Sequence, residues 1–330
     1  MRALIWIVVL AGAVWSGVWF AASTAVQRGA EGWFLDQQAR GLVAERAGLA
    51  VRGFPNRLDL TVSELHLADP ESGLGWRAPF AQVFAMTWKP WHLIAALPAG
   101  QEIDLPDGQA LRLDGQEMMA SAEAHPSRDL GLYRTRAGGK ALRLSSSAGW
   151  VLAADSAFAA TEEDPSLANT HRIGLTVAGL VPDPAFHAAL SETDLPAVID
   201  RLHLDAYATF SAPLDRHAGQ NRPRLTALDL RDLAVIWGRL QITAKGSLVP
   251  GAGGLAEGEI SLRIEGWQRL LPVAAAMGWV TQDQAGVLAR GFASLAQAGG
   301  DPDVLTLPLR ARDGRLSLGP VPLGPAPRLE

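Results

Sequence analysis

The chain has 330 residues, 29 Lys and Arg against 34 Asp and Glu, a net charge of −5 and no cysteine. So mild and evenly mixed a charge gives no sign of a nucleic-acid partner. The lack of cysteine excludes disulfides, zinc thiolate sites and cysteine catalysis.

Ala3 to Val26 carries no charge and lies between Arg2 and Gln27-Arg28. As a helix it is roughly 36 Å long, at about 1.5 Å per residue, enough to cross a bilayer with some tilt. The run exceeds the roughly 7–15 apolar residues of a signal peptide, so an uncleaved anchor is expected over a cleaved signal, although Ala21-Ala22-Ser23 resembles a cleavage site. A two-residue tail before a large polar remainder points to the tail in the cytoplasm and the remainder outside. Trp6 and Trp19-Phe20 suit the two interfaces.

Residues 27–50 read as a juxtamembrane helix, with Leu35, Leu42 and Leu49 every seven residues. From Val51 the period changes to two. Leu58, Leu60 and Val62 alternate with polar residues, and Leu65 and Leu67 do so with the opposite parity, which predicts a bulge or turn at Ser63-Glu64. Similar short runs recur through Ala81–Trp88, Leu142–Leu144, Ile173–Val177, Leu202–Phe210, Leu228–Leu230 and Ile260–Ile264. Trp91–Leu97 reads as a short apolar helix ending at Pro98, and Thr161–Thr170 as a linker. A second helix is expected over Trp267–Trp279. Thr281 and Gln284 form a capping box opening a helix over 282–298, with Val287, Leu288, Phe292 and Leu295 on one face and Gly299-Gly300 at its end. Asp313-Gly314 sets a two-residue hairpin that places Leu309 opposite Leu318 and Ala311 opposite Leu316.

The fold class is therefore mainly β with a few helices (α+β): an N-terminal transmembrane helix, then curved antiparallel sheet. The division expected is an anchor over 1–26, a helix over 27–50, one β-rich lobe over 51–160 and a second over 171–330. Leu58, Leu60, Leu228, Leu230, Leu307 and Leu309 are expected on one continuous apolar face. That face must be sealed as a core or left partly open as a groove, because several hundred Å² of apolar surface in water is unfavourable at about 25 cal/mol per Å².

No catalytic, cofactor or metal site is assembled by the sequence. Gly251–Ala256 matches a dinucleotide fingerprint but precedes a strand instead of a helix, so a hairpin loop is expected. Glu64 and His66 share a strand face, too few ligands for a metal. Trp76, Trp88, Trp91, Trp237 and Trp267 are the candidate lining of an apolar groove, with core positions or a membrane surface as the plainer readings.

GFPNRLDL (Gly53–Leu60), DPESGLGWRAP (Asp69–Pro79), WKPWHLIAA (Trp88–Ala96), IEGWQRLLPVAAAMG (Ile264–Gly278) and DGRLSLGPVPLGPAP (Asp313–Pro327) occur in this order. Together they resemble the bacterial family called domain of unknown function 2125. A fainter architectural likeness is to AsmA-type envelope proteins, which are associated with lipid traffic between membranes. The resemblance implies a membrane-anchored envelope protein and carries over no activity, cofactor or catalytic residue; the uncharged run followed by a soluble remainder predicts a single-pass inner-membrane protein with its body in the periplasm. A carrier of a lipid or other apolar ligand is the leading expectation. An envelope scaffold is the alternative, and an enzyme the least supported class.

Overall fold

A computed structural model of the protein describes residues 1–191 and 193–329. Strands make up 51% of it, twice the share of an average domain at about 20–25%, and they pair antiparallel. The chain forms two compact units: Met1–Pro126 with Ala137–Gly149, and Ser127–Arg136 with Trp150–Glu330.

The first unit opens with helix α1 (Arg2–Ala39), followed by β1 (Val43–Glu45), β2 (Gly48–Arg52), β3 (Arg57–Asp69), β4 (Leu74–Met86), β5 (Lys89–Ala96), β6 (Gln101–Asp104) and β7 (Ala110–Ala124). It also takes in β8 (Leu132–Ser146) from Ala137 onward. The helix expected over 27–50 stops at Ala39. Gly41 takes φ +85°, its N–H bonds Gln38 O, and the Leu42 N–H bonds Gln37 O, a Schellman stop that needs a residue free to adopt positive φ. Leu49 rides in β2 opposite Val62. The seven-residue recurrence of Leu35, Leu42 and Leu49 therefore crosses three elements.

The parity change at Ser63-Glu64 is present. Glu64 has φ +49°, while Ser63 stays opposite Phe80 and Leu65 opposite Ala78. The strand twists without losing register. Leu60, Val62, Leu65 and Leu67 thus reach one cluster with Phe34, Ala44 and Trp76. Trp91–Leu97 is strand, not helix: β5 pairs with β4 and β7. A short run that is apolar all round carries no period to separate the two, and seven residues give a helix too few internal bonds to persist without packing.

The second unit is a meander in which each strand pairs with the next: β9 (Val151–Glu163), β10 (Thr170–Leu180), β11 (Ile199–Phe210), β12 (Leu225–Trp237), β13 (Leu240–Pro250), β14 (Ala256–Glu265), β15 (Val304–Arg312), β16 (Arg315–Leu318) and β17 (Val321–Pro325). Helices α2 (Pro184–Ala188), α3 (Ala218–Asn221), α4 (Leu270–Ala276) and α5 (Gln282–Ala298) interrupt it. The expected linker over 161–170 is instead the turn of the β9–β10 hairpin, with Glu163 opposite His171. Asp164 accepts from the Ser166 hydroxyl and N–H, which holds its carboxyl below the usual range and fixes the turn. Gly251–Ala256 forms a tight turn over Ala252–Gly254 between two strands.

The Thr281–Gln284 capping box is made in both directions, at 3.2 and 2.8 Å. Leu309 faces Leu318 and Ala311 faces Leu316 across Asp313-Gly314, both with positive φ. The buried face of α5 keeps Leu288 and Phe292 of the expected one and loses Val287 and Leu295. Phe292 and Ala296 are buried, and Ala285, Leu288, Ala289 and Ala293 pack beside them, whereas Val287 is 61% and Leu295 42% exposed. A count of large apolar residues passes over Ala285, Ala289, Ala293 and Ala296, which fill the rest of that face.

Nor do the six leucines of the expected continuous face share one cluster. Leu60 lies in the first unit's cluster, Leu228 and Leu230 pack around Ala206 and Ala244, and Leu307 lies with Leu240, Ile264 and Leu305 under α4 and α5.

His171 is 4% exposed in β10, its ring edge-on to Phe210 at 6.3 Å, and its Nδ1 has no partner among the described residues. Burial pushes its pKa down against an upward pull from Glu163. The unfolded chain therefore takes a proton near pH 6.5 that the folded one resists, so stability present above that pH is lost as pH falls through it. In urea titrations at pH 7.5 and 5.5, His171→Leu is expected to show a smaller acid loss of stability than the wild type. An unchanged loss would assign the effect to other groups.

Candidate functional site beside the N-terminal helix

Helix α1 is the one helix among the described residues long and apolar enough to cross a membrane. Within its apolar stretch Ser16, Ser23 and Thr24 donate back to helix carbonyls at 2.7–3.0 Å, so their hydroxyls stay satisfied without water. As far as Val18 its side chains are mostly exposed, and from Trp19 onward it meets the sheet, with Trp19, Ser23 and Phe34 buried.

Two indoles tie the helix to the β2–β3 turn. Trp15 Nε1 donates to Pro55 O at 2.9 Å, and Trp19 Nε1 to Arg57 O at 2.8 Å. The Phe54 ring stands edge-on to Trp19 at 5.4 Å and stacks on Phe20 at 6.1 Å. Aromatic pairs of this geometry contribute about 0.5–1.5 kcal/mol beyond the area they bury.

About four turns further along, the helix borders an apolar hollow of about 280 Å³. Its walls are Trp33 from the helix, Leu42 and Val43 after it, and Leu67, Leu74 and Trp76 from the β3–β4 hairpin. Trp76 is held upright by its Nε1–H bond to Gln101 Oε1 at 3.1 Å, and buried Gln101 is fixed in turn by donating to Pro98 O. A second, polar hollow of about 810 Å³ gathers Glu31, Glu45, Arg46, Glu64 and His66. There His66 Nδ1 lies 3.3 Å from Glu45 Oε2, and Arg46 lies over the Phe34 ring at 4.2 Å. Among the described residues no group of three or more His, Asp or Glu is arranged to hold a metal ion.

The five tryptophans singled out from sequence are dispersed. Trp76 lines the apolar hollow, Trp91 is half-buried in β5, and Trp88 stands 58% exposed on the β4–β5 turn. Trp237 and Trp267 belong to the second unit, each 4% exposed, with their indoles bonded to Pro196 O and Pro302 O. Sequence reasoning missed Trp15, Trp33 and Phe54. The signal was available in aromatic residues at the lower end of the apolar run and in Phe54-Pro55 inside the GFPNRLDL motif. What hid it was their separation of some forty positions along the chain.

The model of one protein family, described as an uncharacterized protein conserved in bacteria (DUF2125), matches residues 19–327. No curated protein and no solved structure matches the chain.

Proposed function

The chain belongs to the DUF2125 family, and from that premise we propose that it is a single-pass protein of the bacterial inner membrane whose periplasmic body holds one apolar chain, of a lipid or a lipid-like molecule, in the hollow between Trp33 and Trp76. The observation that carries this reading is the hollow itself. Its lining is apolar except for Gln37 and Asp69, and it opens beside the helix that would bring lipid to it. At about 280 Å³ it falls just under the ~300–1,000 Å³ of pockets that enclose a drug-sized ligand, so it suits one slim chain and not a whole lipid.

Val43→Phe fills the hollow with a side chain of the same apolar character. Native mass spectrometry of the full chain released from membranes in detergent should show a bound lipid mass on the wild type and its loss in Val43→Phe. A wild type with no bound mass would sink the carrier reading. The scaffold reading would then take its place, supported by the exposed Met277, Trp279, Val287 and Leu295 around α4 and α5 in the second unit. The orientation rests on the large polar body that follows the uncharged run. An alkaline phosphatase fused after Glu330 is expected to be active and a green fluorescent protein there dark; the reverse pattern would place the body in the cytoplasm.

A further inference from the structure

We infer that the paired turns at one end of the first unit, Gly53–Asn56 and Thr87-Trp88, form a second membrane contact that dips into the lipid headgroup–acyl boundary beside the anchor helix. The inference rests on the anchor reading above and adds a surface to it.

The turns are adjacent. The Thr87 N–H and hydroxyl both donate to Asn56 O, at 3.1 and 3.2 Å, and Arg57 faces Met86 across the β3–β4 ladder. Their side chains are large, apolar and uncovered: Phe54 is 53%, Trp88 58% and Met86 38% exposed. An indole at the tip of a two-residue hairpin turn is poorly placed for water and well placed for a bilayer interface, where the apolar ring and the polar N–H are both accommodated. Arg52 borders the same end, a long cation that can lay its stem along apolar surface and leave the charge among phosphates, while Arg57 and Lys89 there are paired with Asp59 and Glu123.

The bilayer, and not a protein partner, is the occupant because the patch is continuous with the helix. Phe54 packs on Trp19 and Phe20, inside the uncharged run. From Ala3 to Trp19 the helix rises about 24 Å, and to Phe20 about 26 Å, against a hydrocarbon core about 30 Å thick. With Arg2 held at one surface, Phe54 must therefore lie at or just inside the other. The turn is prepared for that depth. Pro55 has no N–H to satisfy, and the carbonyls of Pro55 and Arg57 already accept the two indole N–H groups of the helix, which lowers the cost of placing backbone where water is scarce. The span expected over 3–26 is correspondingly shortened to about Ala3–Ala22, near the ~20 residues a bilayer needs.

The chain has no cysteine, so single labels can be placed without background. Phe54→Cys, Trp88→Cys, Glu71→Cys and Val8→Cys would each be spin-labelled in the full chain, in nanodiscs of phosphatidylethanolamine and phosphatidylglycerol. Relaxation by oxygen and by a water-soluble nickel chelate reports depth. Labels at 54 and 88 are expected to favour oxygen several-fold over the label at 71, which sits in the turn at the other end of the β3–β4 hairpin, and the label at 8 to lie deepest. Because the label replaces part of the apolar patch, quenching of intact Trp88 by brominated lipid, in a variant with the other exposed tryptophans changed to phenylalanine, provides a second reading. If 54 and 88 match 71 while 8 lies in lipid, and Trp88 is not quenched, the anchor stands and the second contact is overturned. If 8 is itself in water, the anchor reading falls and takes this inference with it.

Discussion

Trp267→Ala is expected to destabilise the second unit by about 3–5 kcal/mol, the range for deleting a buried aromatic side chain. Trp267 is 4% exposed and stands edge-on to Phe292 of α5 at 6.0 Å. Its Nε1 donates to Pro302 O at 3.1 Å, which pins the start of the α4 segment to the turn before β15. The alanine variant loses the packing, the ring pair and the donor together, and the cavity it leaves lies in the cluster that seats α4 and α5. Trp267→Phe keeps most of the volume and loses the N–H, so about 1 kcal/mol is expected for the bond alone. Urea unfolding of the full chain in detergent, followed by circular dichroism, separates the two. An alanine variant with a midpoint equal to that of the phenylalanine variant would show that the cavity collapses at no cost.

Gly246→Ala should be as damaging although it adds only a methyl group. Gly246 lies in β13 opposite Ile260 of β14 with φ +154°, an extended conformation of the mirror-image kind that side chains rarely adopt. A Cβ there would fall 2.2 Å from Glu259 O and 2.6 Å from the Ile260 Cα, both backbone atoms of the neighbouring strand. A flexible side chain could move aside, but a hydrogen-bonded strand cannot without breaking its ladder. The expected cost is about 3 kcal/mol or more, combining backbone strain with overpacking. Hydrogen exchange should show lost protection along β13 and β14 while the first unit keeps its own. Full protection of those strands would mean that the ladder yields more easily than this geometry allows.

How much of this could be seen in advance depended on how far apart the interacting residues lie. The Asp313-Gly314 hairpin, its register and the Thr281–Gln284 box were legible because each is settled within a few residues: a turn needs two positive φ values, and a cap needs a hydroxyl three positions before an amide. The uncharged run of α1 was legible for the same reason, since its composition alone sets its affinity for lipid.

The candidate site was only partly legible. Trp76 was picked out, but Trp237 and Trp267 were drawn in by residue type and prove to be core. Residues 91–97 carry the same apolar signal in either secondary structure, and the choice of strand was made by Ala120–Glu123 of β7, which offers β5 a ladder. Helix α1 ends where Arg40-Gly41 permits, yet what it packs on is set by Phe54, Pro55 and Arg57, residues from a turn that reaches back to Trp15 and Trp19. The sequence alone thus determined the local turns, the caps and the presence of a long apolar helix, because short-range sterics and composition suffice for those. Which aromatic residues became core, which line a hollow and which stay exposed was decided only by the tertiary structure, because burial depends on what the other strands bring to the same place.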